Sequence, residues 1–294
     1  MRATTTTVVT SHADIAVAQS SGRGMAVLFL HGNSNCKEAF RKQYEDTLGE
    51  KYRMIAIDLP GHGASSDAFD PKKTYSMTGY AAAAGEVLDK LNVERAVVVG
   101  WSLGGHVAIE MLKSRPGVIG IMISGAPPVR RDMDSVLAGF QPSPAAFLAG
   151  KNELTADEYV AFANLTLGKF AANPELQKAL HRADGRARQI MFESLMAGQA
   201  SDQRELAETS ETPIAVVNGE KDPLVNLAYV GGLSYRMLWD EHCFVLRGLA
   251  HVPFLEAPEV FNPLLTRFLA DMEKRAAMPV KGIGAKRTGK TVAA

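Results

Sequence analysis

Gly100-Trp101-Ser102-Leu103-Gly104 follows a β-branched run, Ala96 to Gly100, and precedes a helical pattern that starts at Leu103. A G-x-S-x-G pattern therefore falls at a strand-to-helix turn, the context its chemistry requires. Glycine two positions to either side lets the chain turn tightly enough to force the serine into a sparsely populated conformation with its Oγ exposed. A serine hydroxyl is a poor nucleophile until a base takes its proton, and histidine, with a pKa of about 6.5, is the usual base. A serine that merely caps the helix is the simpler explanation, so the partners decide.

In an open sheet those partners follow in the order serine, acid, histidine, on loops after later strands. Of seven histidines, His251 fits the base, in Gly248-Leu249-Ala250-His251 just after the run Cys243 to Leu246. The acid belongs after Ile214 to Asn218, where Gly219-Glu220-Lys221-Asp222-Pro223 offers two carboxylates. Asp222 is favoured because the following proline holds it extended; Glu220, free to face solvent beside Lys221, stays open as the alternative. A tetrahedral oxyanion needs preorganised donors. Leu103 N–H supplies one, and Leu30-His31-Gly32-Asn33-Ser34 supplies a second through Asn33 N–H, with Ser34 as fallback.

The remaining candidates are weaker. His12, His181 and His242 read as surface residues, His106 as helix packing, and His31 and His62, beside glycines, as loop-fixing. Asp58 in Asp58-Leu59-Pro60-Gly61-His62-Gly63 reads as scaffold that holds loops by hydrogen bonds. Trp101, Phe140, Phe147, Tyr159, Phe162, Met191 and Met196 are candidates to line an apolar substrate pocket, although packing is the commoner role at helical spacing. Arg182, Asp184, Arg186 and Arg188 could meet a ligand, but a solvated or salt-bridged helix face is the simpler expectation.

The elements that must hold these residues alternate. Strands are expected at Met25 to Leu30, Arg53 to Asp58, Ala96 to Gly100, Val118 to Ser124, Ile214 to Asn218 and Cys243 to Leu246, with an antiparallel edge strand at His12 to Ala18. Helices are expected at Lys37 to Leu48, Thr78 to Leu91, Leu103 to Ser114, Asn226 to Met237 and Pro258 to Arg275. Continuous apolar strands separated by helices predict an α/β chain with a mostly parallel central sheet covered on both faces. Residues 1–128 and 213–276 form that core. Residues 129–212, helical and far longer than an ordinary connection, form a cap. Residues 277–294, basic and glycine-rich, form a disordered tail.

The 294 residues carry 32 Lys plus Arg against 32 Asp plus Glu, which argues against nucleic acid as a partner. Cys36 and Cys243 make no disulfide framework or zinc array, and no apolar run approaches the roughly 20 residues of a membrane span. A cytoplasmic protein without membrane association is expected, acting on a small molecule without metal or other cofactor; its oligomeric state is left open.

With these motifs together, the chain resembles α/β-hydrolase-fold proteins over about residues 12 to 272. More narrowly, H-G-N-S, Tyr75-Ser76-Met77, G-W-S-L-G-G-H, Asp184-Gly185-Arg186-Ala187-Arg188 and the run Pro213 to Gly219 resemble the N-acyl-homoserine lactonases built on that fold. The resemblance implies hydrolysis of the lactone ring of bacterial signalling molecules, quorum quenching, with Ser102 as nucleophile, His251 as base, and Asn33 and Leu103 amides as oxyanion donors. Asp222 takes the acid position, where the family carries Glu, and the shorter carboxylate keeps Glu220 open. The stretch from Phe140 to Gly168 aligns poorly, so acyl-chain preference does not transfer. The di-metal lactonase motif His-x-His-x-Asp-His is absent from the sequence, and Ser102 at the elbow excludes an Asp-nucleophile epoxide hydrolase or dehalogenase. The alternatives are a carboxylesterase, a carbon-carbon bond hydrolase and a non-catalytic small-molecule receptor.

Overall fold

Eight strands pair into one sheet, in the order β1-β2-β4-β3-β5-β6-β7-β8, in the computed structural model, which describes residues 3–277. They are β1 (Thr4–Val9), β2 (Asp14–Gln19), β3 (Ala26–Leu30), β4 (Arg53–Ile57), β5 (Ala96–Trp101), β6 (Val118–Ser124), β7 (Ile214–Gly219) and β8 (Phe244–Leu246). The β1–β2 and β2–β4 pairs are antiparallel and every other pair is parallel. The fold is thus the expected α/β-hydrolase architecture, a mostly parallel sheet flanked by helices.

β3, β5 and β7 are buried along their whole lengths because helices cover both faces. Leu28, Leu30 and Val98 point into one apolar cluster with helices Met77–Lys90 and Leu103–Ser114. Val27, Phe29, Val97 and Val99 alternate into the other, with Phe40, Phe254 and Phe268. Leu30 pairs with Gly100 and Gly100 with Ile123, so β3, β5 and β6 end at one level. Because β3 is followed on one side by β4 and on the other by β5, the chain direction diverges there, a topological switch point of the kind at which open α/β sheets bind ligands beyond the strands' carboxyl ends.

Three local expectations need correction. His12 to Ala18 contains a strand, but the sheet edge is β1, built from the Thr-rich terminus; its residues other than Val8 face solvent, and β-branched threonine suits such a surface. Lys37 to Leu48 is not one helix. A 3₁₀ turn, Lys37–Phe40, and a short helix, Arg41–Tyr44, stop where Asp46 Oδ1 accepts from Thr47 N at 2.6 Å, a local bond that competes with helix propagation. Asn226 to Met237 shrinks to Leu227–Gly231, ended by consecutive glycines. Of the tail, Ala277 closes the helix Pro258–Ala277, and residues 278–294 lie outside the described residues.

Between β6 and β7 the chain is helical: Met133–Gly139, Pro144–Gly150, Ala156–Leu167, Pro174–Arg182, Gly185–Met196 and Gln203–Thr209. This insertion begins and ends at one place, where Val129 O accepts from both Gln203 N (3.0 Å) and Arg204 N (3.3 Å). Its last helix docks on the core. Gln203 Nε2 donates to Glu110 Oε1 at 2.9 Å, and its Oε1 lies 2.7 Å from His106 Nδ1. Burial pushes the His106 pKa down to about 4, which keeps the ring neutral, in keeping with a packing role.

After β4, Asp58 is fully buried and accepts from Lys37 Nζ (2.8 Å), Lys37 N (2.7 Å) and Ala64 N (2.8 Å), so it is the loop-holding scaffold expected of it. Burial would lower the Lys37 pKa, but the Asp58 carboxylate outweighs it and holds the ammonium charged. Lys37→Met leaves that carboxylate buried without its counter-charge and should cost about 3–5 kcal/mol, read as a lower urea midpoint at unchanged slope.

Candidate active site

Ser102 stands between β5 and the helix Leu103–Ser114 with φ 53° and ψ −119°, a strained conformation for a residue with a side chain. The geometry is forced by close packing. A Cβ on Gly104 would lie 2.0 Å from Leu30 O, and one on Gly100 would lie 2.2 Å from Gly104 O, so only glycine lets helix, β5 and β3 approach this closely. Ser102 N donates to Ser124 O at 2.8 Å, fixing the turn to the end of β6. Leu103 N–H is among the donors that a helix N-terminus leaves without an internal partner.

The next loops converge on this corner. His251 Nδ1 lies 2.8 Å from Asp222 Oδ2, and both side chains are buried. Asp222 Oδ1 accepts from Leu224 N (2.8 Å) and Val225 N (3.2 Å), which fixes the carboxylate plane. Burial alone would raise its pKa, but the His251 ring, their shared hydrogen bond and the two amides prevail and hold Asp222 below the ordinary value of 3.8. A carboxylate on Nδ1 requires a proton there. His251 Nε2 is then left as the acceptor; it is buried and has no hydrogen-bond partner among the described residues.

Gly125, after β6, ties His251 to the serine corner. Its φ is +68°, and a Cβ there would sit 2.6 Å from His251 Cε1. Its N–H donates to Asn218 Oδ1 at 2.7 Å, which links the ends of β6 and β7. The Trp101 indole packs edge-on to His251, with centroids 5.7 Å apart, and lies under Gly32, whose imagined Cβ would touch it at 3.0 Å. Ala250 N donates to Glu256 Oε1 at 3.0 Å, bracing the histidine loop. No hydrogen bond joins Ser102 Oγ to His251 Nε2 among the described residues, so the arrangement offers an oriented proton acceptor near the elbow rather than a bond already made, with Asp222 placed to stabilise an imidazolium.

The two carboxylates left open by sequence are separated here: Asp222 meets His251, whereas Glu220 is exposed and its Oε2 accepts from Gly248 N at 2.8 Å. Asn33 and Ser34 follow β3 beside the elbow. Asn33 Nδ2 donates to Ala149 O of the insertion at 2.9 Å, and Ser34 adopts φ 55°. His31 Nε2 accepts from Leu59 N at 3.0 Å, so its Nδ1 donates to Gly32 O (2.8 Å); burial pushes this pKa down to about 4. His62, also buried and lowered to about 3, bonds Pro60 O through Nδ1. Both histidines hold loops.

The pocket candidates scatter. Trp101 is buried at the corner. Phe140 bridges to Val225 and packs near His106, Phe162 belongs to a small core inside the insertion, and Met191 belongs to the main core. Tyr159 stacks near His181, centroids 4.2 Å apart, while Phe147 is 68% exposed and meets Phe192. Met196 is also exposed.

Two surface expectations fail. His12 is buried, its Nδ1 2.8 Å from Thr74 Oγ1, and Arg188 is buried with three hydrogen bonds rather than solvated. By contrast, Arg182 and Arg186 do pair at the surface, with Asp67 and Asp184. Sequence reasoning gave Gly125 and Asn218 no part in the site. The lone polar residue in the apolar run of β7 was the available signal for Asn218.

Residues 27–264 match the alpha/beta hydrolase family, and with this fold and corner the chain belongs to that family. Among solved structures it is similar to N-acyl homoserine lactonase AidH complexed with N-butanoyl homoserine: 42% identity, TM-score 0.87, covering 92% of this chain and 97% of that one. A mutant of AidH complexed with N-hexanoyl homoserine lactone gives 41% identity and TM-score 0.88, covering 92% and 99%. More distantly, the chain is 28% identical to a 2-hydroxy-6-oxononadienedioate/2-hydroxy-6-oxononatrienedioate hydrolase of Pseudomonas sp., over 83% of this chain and 87% of that protein. It is also 28% identical to the pimeloyl-[acyl-carrier protein] methyl ester esterase of Xanthomonas campestris pv. campestris, strain B100, over 85% and 96%.

Gly125→Ala should push the His251 ring aside and cut kcat by roughly 100-fold with the fold retained, since displacements near 1 Å cost that much in preorganised sites. Asp222→Asn should lower kcat by about 10⁴-fold through loss of the imidazole orientation. Because the folded Asp222 pKa is depressed, its charge contributes stability fully above pH 3.8, and that contribution is lost as pH falls through the folded value. Wild type's stability margin over Asp222→Asn, measured by urea unfolding, should therefore be constant near neutrality and shrink below that pH.

Proposed function

We propose that this chain is a serine hydrolase that opens the lactone ring of N-acyl-homoserine lactones, with Ser102 as nucleophile, His251 as base and Asp222 as the acid that orients it. The observation that carries the reading is the Asp222–His251 bond, which fixes one ring nitrogen and leaves Nε2 without a partner among the described residues, near the strained Ser102 corner. The choice of lactone is supported by the 42% likeness to a lactonase complexed with N-butanoyl homoserine.

In this mechanism residues 129–212 act as a lid, and the acyl chain lies against its apolar side chains. His251 Nε2 takes the Ser102 proton as Oγ attacks the ring carbonyl. The oxyanion is held by the Asn33 and Leu103 amides, each contributing about 3 kcal/mol. When the ring C–O bond breaks, His251 returns its proton to the departing alkoxide, whose hydroxyl stays tethered to the acyl-serine. Reclosure then competes with hydrolysis, and water activated by His251 completes the reaction. No metal or other cofactor enters any step.

A second reading, hydrolysis of an open-chain ester or a carbon-carbon bond with the same residues, is favoured by the esterase and dienedioate hydrolase likenesses. The triad itself does not separate these substrates. Parallel assays of N-hexanoyl homoserine lactone and an open-chain ester decide between them. Acid release from the lactone is expected, unchanged by a chelator and abolished in Ser102→Ala. A preference of about 100-fold for the ester, equivalent to about 2.7 kcal/mol, would replace the lactone reading. Binding without product, unchanged in Ser102→Ala, would indicate a receptor.

A further inference from the structure

Arg188, in the insertion helix Gly185–Met196, is 1% exposed; three of its hydrogen bonds end on uncharged oxygens of other segments, and the Tyr159 side chain also lies against it. Nε reaches Lys151 O at 2.8 Å, Nη2 reaches Asn152 O at 2.7 Å, and Nη1 reaches Ser34 Oγ at 3.1 Å. A guanidinium stays charged, and burying it against neutral partners is unfavourable compared with leaving it in water. Such a group is a poor device for stability alone. What it does achieve is geometric, because its planar fork fixes several acceptors at once.

The acceptors belong to two segments that the site needs together. Ser34 is fully buried and left-handed, a conformation that a residue with a side chain keeps only when its surroundings hold it. Its Oγ donates to Asn33 Oδ1 at 3.0 Å, and Asn33 Nδ2 donates to Ala149 O at 2.9 Å. The bonds close a circuit: Arg188 to Ser34, Ser34 to Asn33, Asn33 to Ala149, and the stretch 149–152 back to Arg188.

We infer that Arg188 is a positioning residue for the oxyanion pocket, fixing the Asn33 peptide through Ser34 and making the insertion segment 149–152 part of the same rigid unit. The inference rests on the proposed role of the Asn33 amide as an oxyanion donor. Seating the insertion and aiming that amide are then one event. An arginine that only stiffened the insertion would affect substrate capture or stability. One that aims the amide acts on the transition state.

The test compares wild type, Arg188→Gln, Ser34→Ala and Ser102→Ala with whichever substrate the wild type turns over, rates being normalised to active sites. An alkylboronic acid, which forms a tetrahedral adduct with an active serine, serves as the probe. Arg188→Gln should lower kcat roughly 10- to 100-fold and weaken the boronic acid by a similar factor. KM should stay within about threefold, the pattern of an interaction made in the transition state. Ser34→Ala, which spares both carbonyl bonds of Arg188, should show the same pattern at smaller amplitude and decides the matter if Arg188→Gln does not fold. Unchanged kcat, or a raised KM at unchanged kcat, would overturn the inference while leaving the hydrolase reading intact. Turnover surviving in Ser102→Ala would instead remove that reading, and the inference with it.

Discussion

Ser102 can stand at φ 53° only because two flanking positions carry no side chain, and every other part of the site is arranged around that turn. A non-glycine residue in such a region costs of order 1–3 kcal/mol, offset by the packing of β3, β5 and the helix Leu103–Ser114. The order of strands across the sheet is then the order of parts across the site. β3 brings the Asn33 loop to one side of the serine and β6 brings Gly125 to the other. β7 and β8 follow with Asp222 and His251.

Buried polar groups divide by task. His31, His62 and His106 are held neutral by burial, with pKa values of about 4, 3 and 4, and fix loops or seams. Lys37 keeps its charge by pairing with Asp58, whose own pKa burial raises despite that partner, and Asp222 keeps its charge through His251 and two backbone amides. The three loop-holding histidines thus stay neutral near neutral pH, and their hydrogen bonds hold the loops without a change of charge.

Strands β3, β5 and β7 were legible because burial on both faces leaves continuous apolar runs. The serine elbow was legible because glycine spacing encodes its geometry. β1 was missed because a solvated threonine strand has almost no apolar signal. Asp222 and Glu220 lie on one loop two residues apart, so spacing left both open; the proline after Asp222 was the relevant clue, through its effect on the backbone. Arg188 was read as part of a solvated face because its neighbours Arg182 and Arg186 are. Its real surroundings, carbonyls 36 and 37 residues away and a hydroxyl 154 residues away, are set by tertiary folding.

The helical insertion leaves and rejoins the core through a single gap, stitched by Val129 O to the amides of Gln203 and Arg204. Chain length added or removed between those points does not alter the separation of β6 and β7. The insertion can therefore vary in length and shape while the strand ends that hold Ser102, Asp222 and His251 keep their spacing.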